Sequence, residues 1–440
     1  APKGTRDFYP DDLARRRHIE DAWPQTSIDC GYLEIDGPTF EHLDLYTVKS
    51  GDEIVSELFS FRRSGGDTDY ALRPEFTPTL ARMAAARSAN LASPTKWFAL
   101  PSHFRAERPQ RGRLREFQQW NIDILGGDPA ESDADVIAVA VEACRRLGLT
   151  PDEVVVKLSH RSLVADVLRE LGLPDDRTAD ALALLDKRPK LKPDAWNEHA
   201  ATLGLDPADL DARLAETGTR LDDARQAILR GKAPTTPLPD TLDALLANLH
   251  ALDVLDWCVW DLSIVRGLAY YTGTVFELHE ATGKERAIAG GGRYDQLIEL
   301  FHGQPTPAVG FGMGDVVLGL VLEDHGLIES GDHYLPAPDV IIIGTGPDQD
   351  LAPPLRLAAA LRRRGLHARR SYRASNNIGK HLKDAARDRA RLAVILGDEL
   401  ARGEAALKDL RSGDQTTVPL DQLPDAAHRL LRAPEPVDAP

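Results

Sequence analysis

The sequence predicts an α+β protein with a second, smaller α/β domain at its C-terminal end. Three observations carry that reading. At 440 residues the chain exceeds what one simple core accommodates, so two or three domains are expected. Residues 1 to about 165 mix helical patterns with β-rich stretches such as "GYLEIDGPTF" and "WNIDILGG"; a charged helical block follows from about 168 to 250. Strand-like stretches then return in "WDLSIVRGLAYYTGTVFELHE" and "RAIAGGGRYDQL", and beyond residue 339 strand and helix alternate as βαβαβ. The expected boundaries are a first domain over 1–328 with its helical insert at about 168–250, a linker over 329–339, a second domain over 340–432 and a tail over 433–440.

Each element has a local reason. The N-terminal "APKGTRDFYPDD" is polar and turn-rich, with no hydrophobic core for a signal peptide. "DKRPKLKPDAW" and "RGKAPTTPLPD" interrupt the helical block with Pro and Gly. "ESGDHYLPAPD" (329 to 339) reads as a linker by the same signals. After it, "VIIIGTG", a helical "LAPPLRLAAALRRRG", "HARRSY", a second helix and "RLAVILGDEL" supply the alternation. The tail "APEPVDAP" reads as frayed.

Composition excludes several classes of function. No apolar run approaches the ~18 to 20 residues that span a bilayer. Cys30, Cys144 and Cys258 are far apart with no CxxC pair, so they read as reduced thiols in a cytoplasmic setting. The thirteen histidines show no HExxH or clustered spacing, so no protein-held metal is expected. A net charge of −16 argues against a general nucleic-acid binder. Between Arg356 and Arg391, however, twelve Lys/Arg stand against only Asp384 and Asp388. This stretch is either a set of solvated helix faces or a basic face for a polyanion that docks in one place.

The stretch "FRAERPQRGRLREFQQWNIDILGG" (104 to 127) places five arginines in eleven positions and then turns apolar. Arginine binds carboxylate or phosphate through a planar fork. Arg105 precedes the turn-like "PQRGR" and Arg113 follows it, so a hairpin with its tip near Gly112 brings both to one ligand. Gln119 and Asp123, four residues apart, share one face of a strand. An amide and a carboxylate among apolar neighbours are costly unless something polar binds there. A solvated hairpin tip is the other reading of the same charges.

The order of the residues is more specific than their charge. "FRAERPQRGRLREFQQ" resembles motif 2 of class II aminoacyl-tRNA synthetases, in the form used by histidyl-tRNA synthetases. "KGTRDFYPDD" resembles that family's N-terminal signature, and "GYLEIDGPTFE" its motif 1, with Pro38 as the proline. "LRPEFTPTLARM" resembles the amino-acid-binding segment. "IVRGLAYYTGTVFE" and "IAGGGRYDQL" are similar to the two histidine-specific fingerprints, and "KDLRSGDQTTVPLDQL" (408 to 423) to the end of the anticodon-binding domain. The matches fall in the family's order and cover nearly the whole chain.

The resemblance implies a class II antiparallel sheet flanked by helices, a helical insert and a C-terminal α/β anticodon-binding domain. It implies a homodimer formed through motif 1, with L-histidine, ATP and tRNA(His) as partners and Mg²⁺ carried on the ATP phosphates. Glu75 and Thr77 would take the histidine ammonium, and Gln119 the substrate's polar backbone. Asp123 and Tyr271, with Tyr270 beside them, would face the imidazole. Arg105 would contact the amino-acid carboxylate and the α-phosphate, Arg113 the outer phosphates. Arg266 would be the catalytic arginine, which also touches histidine.

Other readings stay open from sequence. Glu75 could cap a helix. Tyr270 and Tyr271 could be ordinary strand residues, Gly290 to Gly292 a bulge or turn, and Arg293 and Asp295 a structural ion pair. Arg266 reads as a charge inside an apolar strand, which needs a partner. Two positions depart from the family's pattern. Ala269 stands where its fingerprint carries an acid. In "VGFGMGDVVLGL", similar to motif 3, Val317 stands at the arginine that clamps the ATP γ-phosphate. Arg286 and Arg113 are the candidates to replace it. The alternative functions are a regulatory subunit of ATP phosphoribosyltransferase, or a tRNA-binding protein without catalysis.

Overall fold

A computed structural model describes residues 1–47, 57–188, 191–235, 237–266, 270–344, 351–373 and 375–432. Ala269 and the tail over 433–440 lie outside the described residues. The chain divides into two compact units, residues 1–334 and 335–440.

The first unit is built on a nine-stranded sheet. In chain order its strands and those of a small neighbouring sheet are β1 (Leu33–Glu34), β2 (Phe40–His42), β3 (Ser60–Arg62), β4 (Asp69–Leu72), β5 (Thr95–Ala99) and β6 (Ser102–Phe104). They continue as β7 (Glu116–Leu125), β8 (Val154–His160), β9 (Cys258–Trp260), β10 (Thr274–Glu280), β11 (Ala289–Arg293) and β12 (Ala308–Gly314). The large sheet runs β1-β5-β7-β12-β11-β10-β8-β9, with β6 also on β7. Its centre is antiparallel, as the resemblance implies, but each edge is a parallel pair, β1 with β5 and β8 with β9. Strands β2, β4 and β3 form the small sheet.

Strand β7 sets the layers. Trp120, Ile122 and Ile124 are buried on one side, and Gln119, Asn121 and Asp123 alternate to the other. The apolar side packs with helices α1 (Pro10–Asp29) and α3 (Pro129–Arg146), whereas α2 (Thr77–Arg87) belongs to a separate cluster with Tyr270, Tyr271 and Tyr294. Trp120 stacks with Trp23 of α1 and donates its indole N–H to Ser27 at 3.0 Å. Asp128 starts α3 by accepting the backbone N–H of Glu131. Five helices then follow: α4 (Arg161–Glu170), α5 (Thr178–Lys187), α6 (Pro193–Thr202), α7 (Pro207–Leu229) and α8 (Asp240–Ala251). Helix α9 (Asp315–Asp324) leaves β12 directly and buries Val317, Leu318, Val321 and Leu322.

Two local expectations need correction. "WDLSIVRGLAYYTGTVFELHE" is not one strand: β9 ends at Trp260 and β10 begins at Thr274. Arg266 therefore sits in the connection, with a left-handed φ of 53° that a strand cannot contain. Gly290 to Gly292 form neither bulge nor turn, because they lie within β11, paired on both sides. Before the unit boundary, Gly331–Tyr334 form a single 3₁₀ turn, and Tyr334 stacks on His18 of α1 with ring centroids 4.3 Å apart.

The second unit has strands β13 (Val340–Gly344), β14 (Ala368–Arg370), β15 (Leu392–Leu396), β16 (Glu404–Asp409) and β17 (Gln415–Pro419), ordered β14-β13-β15-β16-β17. The three that were read as βαβαβ are parallel; β16 and β17 extend the sheet as an antiparallel hairpin. Helices α10 (Ala352–Arg363), α11 (Ile378–Arg387) and α12 (Leu423–Arg432) accompany it. Of the twelve cations in the basic stretch, Arg364, Arg369, Arg373, Arg387 and Arg391 have carboxylate partners within the unit. Much of that charge is thus internal pairing. Among the described residues, no helix is long and apolar enough to cross a membrane.

Candidate active site

The polar side of β7 opens into a cavity of about 650 Å³. Its floor is made of glycines for a steric reason. A side-chain carbon at Gly310 would overlap the Asp123 carboxylate, one at Gly312 the Gln119 amide, and one at Gly290 the Arg266 guanidinium. In register, Gly310 sits opposite Asp123 and Gly290 opposite Gly312, so adjacent strands leave a bare patch on which long polar side chains lie.

Glu75, Thr77, Arg105, Arg113, Gln119, Arg266, Tyr270 and Tyr271 all line this cavity. The residues are scattered through the sequence and converge here. Asp123 is the exception, lying against the floor behind the lining, where the hydroxyl of Tyr294 donates to its Oδ1. Burial pushes the Asp123 carboxyl up to about 7, against the opposing effect of the Tyr294 hydrogen bond.

Glu75 does not cap a helix: α2 begins at Thr77 with Phe76 at the capping position and no side-chain cap. Its carboxylate is buried, and burial raises its pKa despite Arg105. Tyr270 donates to Oε2 at 3.0 Å, whereas Oε1 is buried without a partner among the described residues. Arg105 stacks over Phe117 at 5.2 Å and donates its Nε–H to the Pro74 carbonyl at 3.0 Å. Its terminal nitrogens remain without protein partners among the described residues.

Arg266 donates to Glu277 at 2.9 Å, and Glu277 also meets His279 Nε2 at 2.8 Å. Burial opposes the Arg266 charge, but Tyr271 and Glu277 outweigh it and hold its pKa above the ordinary value. Its Nε is buried with no partner among the described residues. An acidic and a basic side chain thus line one cavity. That is the complement of a ligand carrying both charges.

At the other end is the motif 2 hairpin. Its tip is closed by a bridge between Gln110 and Arg113, and Gly112 takes a left-handed φ of 72°. Arg113 pairs with Glu107. Glu57 stands beside Glu107, and burial first, then Glu107, raises its carboxyl to about 7. Val317 and Arg286 also line the cavity here. Arg293, by contrast, is held by Asp133 at 2.7 Å and Asp295 at 2.9 Å, the structural ion pair that the sequence left open.

Tyr294, Asn121, Glu277 and His279 were missed from sequence. Asn121 shares the face of Gln119 and Asp123, and the alternation of "TVFELHE" puts Glu277 and His279 opposite buried Phe276 and Leu278. Those signals were present. Tyr294 had only its place after the glycine run.

A helix-flanked antiparallel sheet with arginines over its centre has the form of a class II aminoacyl-tRNA synthetase. The comparisons narrow that class. A family model described as "Histidyl-tRNA synthetase" matches residues 4–314, and one described as "Anticodon binding domain" matches residues 339–430. The chain is 40% identical over 428 residues to the histidine–tRNA ligase of Opitutus terrae and 39% identical over 438 residues to that of Halobacterium salinarum, covering 96% of each chain in both cases. The crystal structure of histidyl-tRNA synthetase from Nostoc sp. PCC 7120 has the same fold, with a TM-score of 0.74 at 23% identity, over 98% of this chain and 99% of that one. The chain belongs to the histidyl-tRNA synthetase family.

Proposed function

We propose that the protein activates L-histidine with ATP to histidyl-adenylate and transfers the histidyl group to the 3′ end of tRNA(His). The observation that carries this reading is that Glu75 and Arg266, of opposite charge and each with a buried polar atom lacking a partner among the described residues, line one cavity. A zwitterionic amino acid satisfies both. Glu75 and Thr77 take its ammonium, and Gln119 its polar backbone. The buried Asp123–Tyr294 pair, with Tyr271 and Tyr270, recognises the imidazole. A ligand lacking a ring N–H leaves that buried carboxyl without its donor, which is how such a site rejects it.

In the activation step a histidine carboxylate oxygen attacks the α-phosphorus, and the bond to the departing pyrophosphate breaks. Arg105 bridges the carboxylate and α-phosphate. Arg266 stabilises the charge that grows on the α-phosphoryl oxygens, and Glu277 holds that guanidinium in place. Arg113 meets the outer phosphates. Among the described residues no group of three or more His, Cys, Asp or Glu is placed to hold a metal. Mg²⁺ entering with ATP would be held mainly by the phosphate oxygens and would offset their charge.

The proposal extends to a cytoplasmic homodimer. Its motif 1 region carries a cluster of Phe40, Phe61 and Tyr70 on the small sheet, with Phe40 48% and Phe61 42% exposed. Such a patch calls for a partner surface. The test of the activity is histidine-dependent ATP–pyrophosphate exchange, followed by charging of tRNA(His). Exchange with histidine and no other amino acid is expected. Its absence at saturating ATP and histidine would end the synthetase reading.

A further inference from the structure

Arg286 is a cation with no ion-pair partner among the described residues, on a turn that is otherwise tied down. The turn between β10 and β11 is fastened on two sides. Glu285 is buried and accepts from Arg111 of the motif 2 tip at 2.7 Å, and Lys284 pairs with Asp324 at the end of α9 at 2.6 Å. The intervening geometry sends Arg286 into the cavity, not toward either carboxylate. Among the described residues it makes no ion pair and no side-chain hydrogen bond. Its side chain is exposed, but its fastened neighbours hold its backbone at the cavity rim.

That place is next to Val317. A side-chain carbon at Gly112 would stand 3.3 Å from Val317 Cγ2 and 3.7 Å from Arg286 Cδ. The valine methyl and the arginine stem therefore flank the same glycine. Burial and then the neighbouring Arg113 weigh against the charge of Arg286, and the Glu107 carboxylate offsets them only in part. Two guanidiniums brought together, one of them unpaired, suit a ligand carrying several negative charges.

We propose that Arg286 grips the outer phosphates of ATP, reaching from the β10–β11 turn to the space that position 317 on α9 leaves empty. This rests on the synthetase reading and adds the residue that holds the pyrophosphate half of the substrate. The cation has moved from the helix to the adjoining turn, and the two salt bridges around Glu285 and Lys284 fix that turn. A valine at 317 is then required, since an arginine there would crowd Arg286 and Arg113.

The experiment is pyrophosphate exchange, with ATP, pyrophosphate and histidine varied in turn. Arg286→Gln should raise the KM for ATP and for pyrophosphate about tenfold or more and leave that for histidine unchanged. Arg286→Lys, which keeps the charge, should recover part of the loss. Val317→Arg alone should bring no gain, whereas Val317→Arg in the Arg286→Gln background should restore ATP affinity. Titration with AMP, which lacks the outer phosphates, should show no difference between wild type and Arg286→Gln. Unchanged ATP and pyrophosphate constants in Arg286→Gln would overturn the assignment, as would an equal loss for AMP. Failure of the wild-type protein to exchange at all would fall on the synthetase reading instead.

Discussion

The two ends of the cavity are built on different principles. At one end the polar groups are buried and joined by partners distant in sequence: Tyr270 with Glu75, 195 positions apart, and Tyr294 with Asp123, 171 apart. At the other end, the charges sit on a hairpin tip and a strand-connecting turn, held by bridges such as Arg111 with Glu285. The first end is set before any ligand arrives, because each group's position is fixed by packing. The second presents several guanidiniums whose exact spacing matters less to a flexible polyanion. Discrimination belongs to the first end and grip to the second.

The largest effect that would break this division is on Arg266, whose guanidinium lies over Gly290 and beside Tyr271. If its work is done on the transition state, Arg266→Ala should lower kcat about 10² to 10³-fold and shift both KM values far less. Steady-state kinetics of adenylate formation reads this directly. A variant with near-normal kcat and a raised KM for histidine would make Arg266 a binding group only, and its left-handed backbone a feature of the loop alone.

A smaller but sharper test falls on Glu75. Glu75→Gln keeps the shape and the Tyr270 contact but removes the charge offered to an ammonium. A charge-assisted hydrogen bond of this kind is worth about 1.5 to 3 kcal/mol, so the histidine KM should rise roughly tenfold to a hundredfold. The ATP KM should stay put. If ATP binding weakened in step, the two ends would not be separable in the way their construction suggests.

What the sequence made legible was chemistry within one element. Period two on a single strand is enough to put Gln119 and Asp123 on one face, and a hairpin with its tip near Gly112 is enough to bring Arg105 and Arg113 to one cavity. Contacts between elements were harder to read. Nothing near Asp123 in the chain announces Tyr294, and nothing in "SIVRGLAYY" signals that Arg266 leaves the strand for a left-handed connection. The glycines show the same limit: the run at 290 to 292 looked like a turn because only the folded sheet reveals the guanidinium lying across it. The fate of the basic stretch in the second unit was equally hidden, since the acids that neutralise Arg364 and Arg391 come from Asp425 and Asp409, outside that stretch.

The smallest expected effect is a pH dependence confined to the histidine end. Burial, the main influence on Asp123, raises its carboxyl to about 7 in the fold, whereas an unfolded aspartate titrates near ~3.9. The sign follows from that order. The ligand-free fold holds a proton the unfolded chain has lost, so this group's contribution to stability is present at low pH and is lost as pH rises through about 7. Histidine reverses the trend, because an ionised Asp123 accepts its ring N–H and a protonated one does so poorly. Between pH 8 and 6 the ionised fraction falls from about nine-tenths to one-tenth, so histidine affinity should drop by up to ~10-fold from this source. The histidine ring titrates near ~6.5 on its own, and Asp123→Asn carries that background without the carboxyl. Histidine-induced thermal stabilisation, measured from pH 6 to 8 in both proteins, should therefore rise more steeply in the wild type. Equal slopes would mean that Asp123 keeps its proton throughout, and that Tyr294, not the acid, meets the ligand.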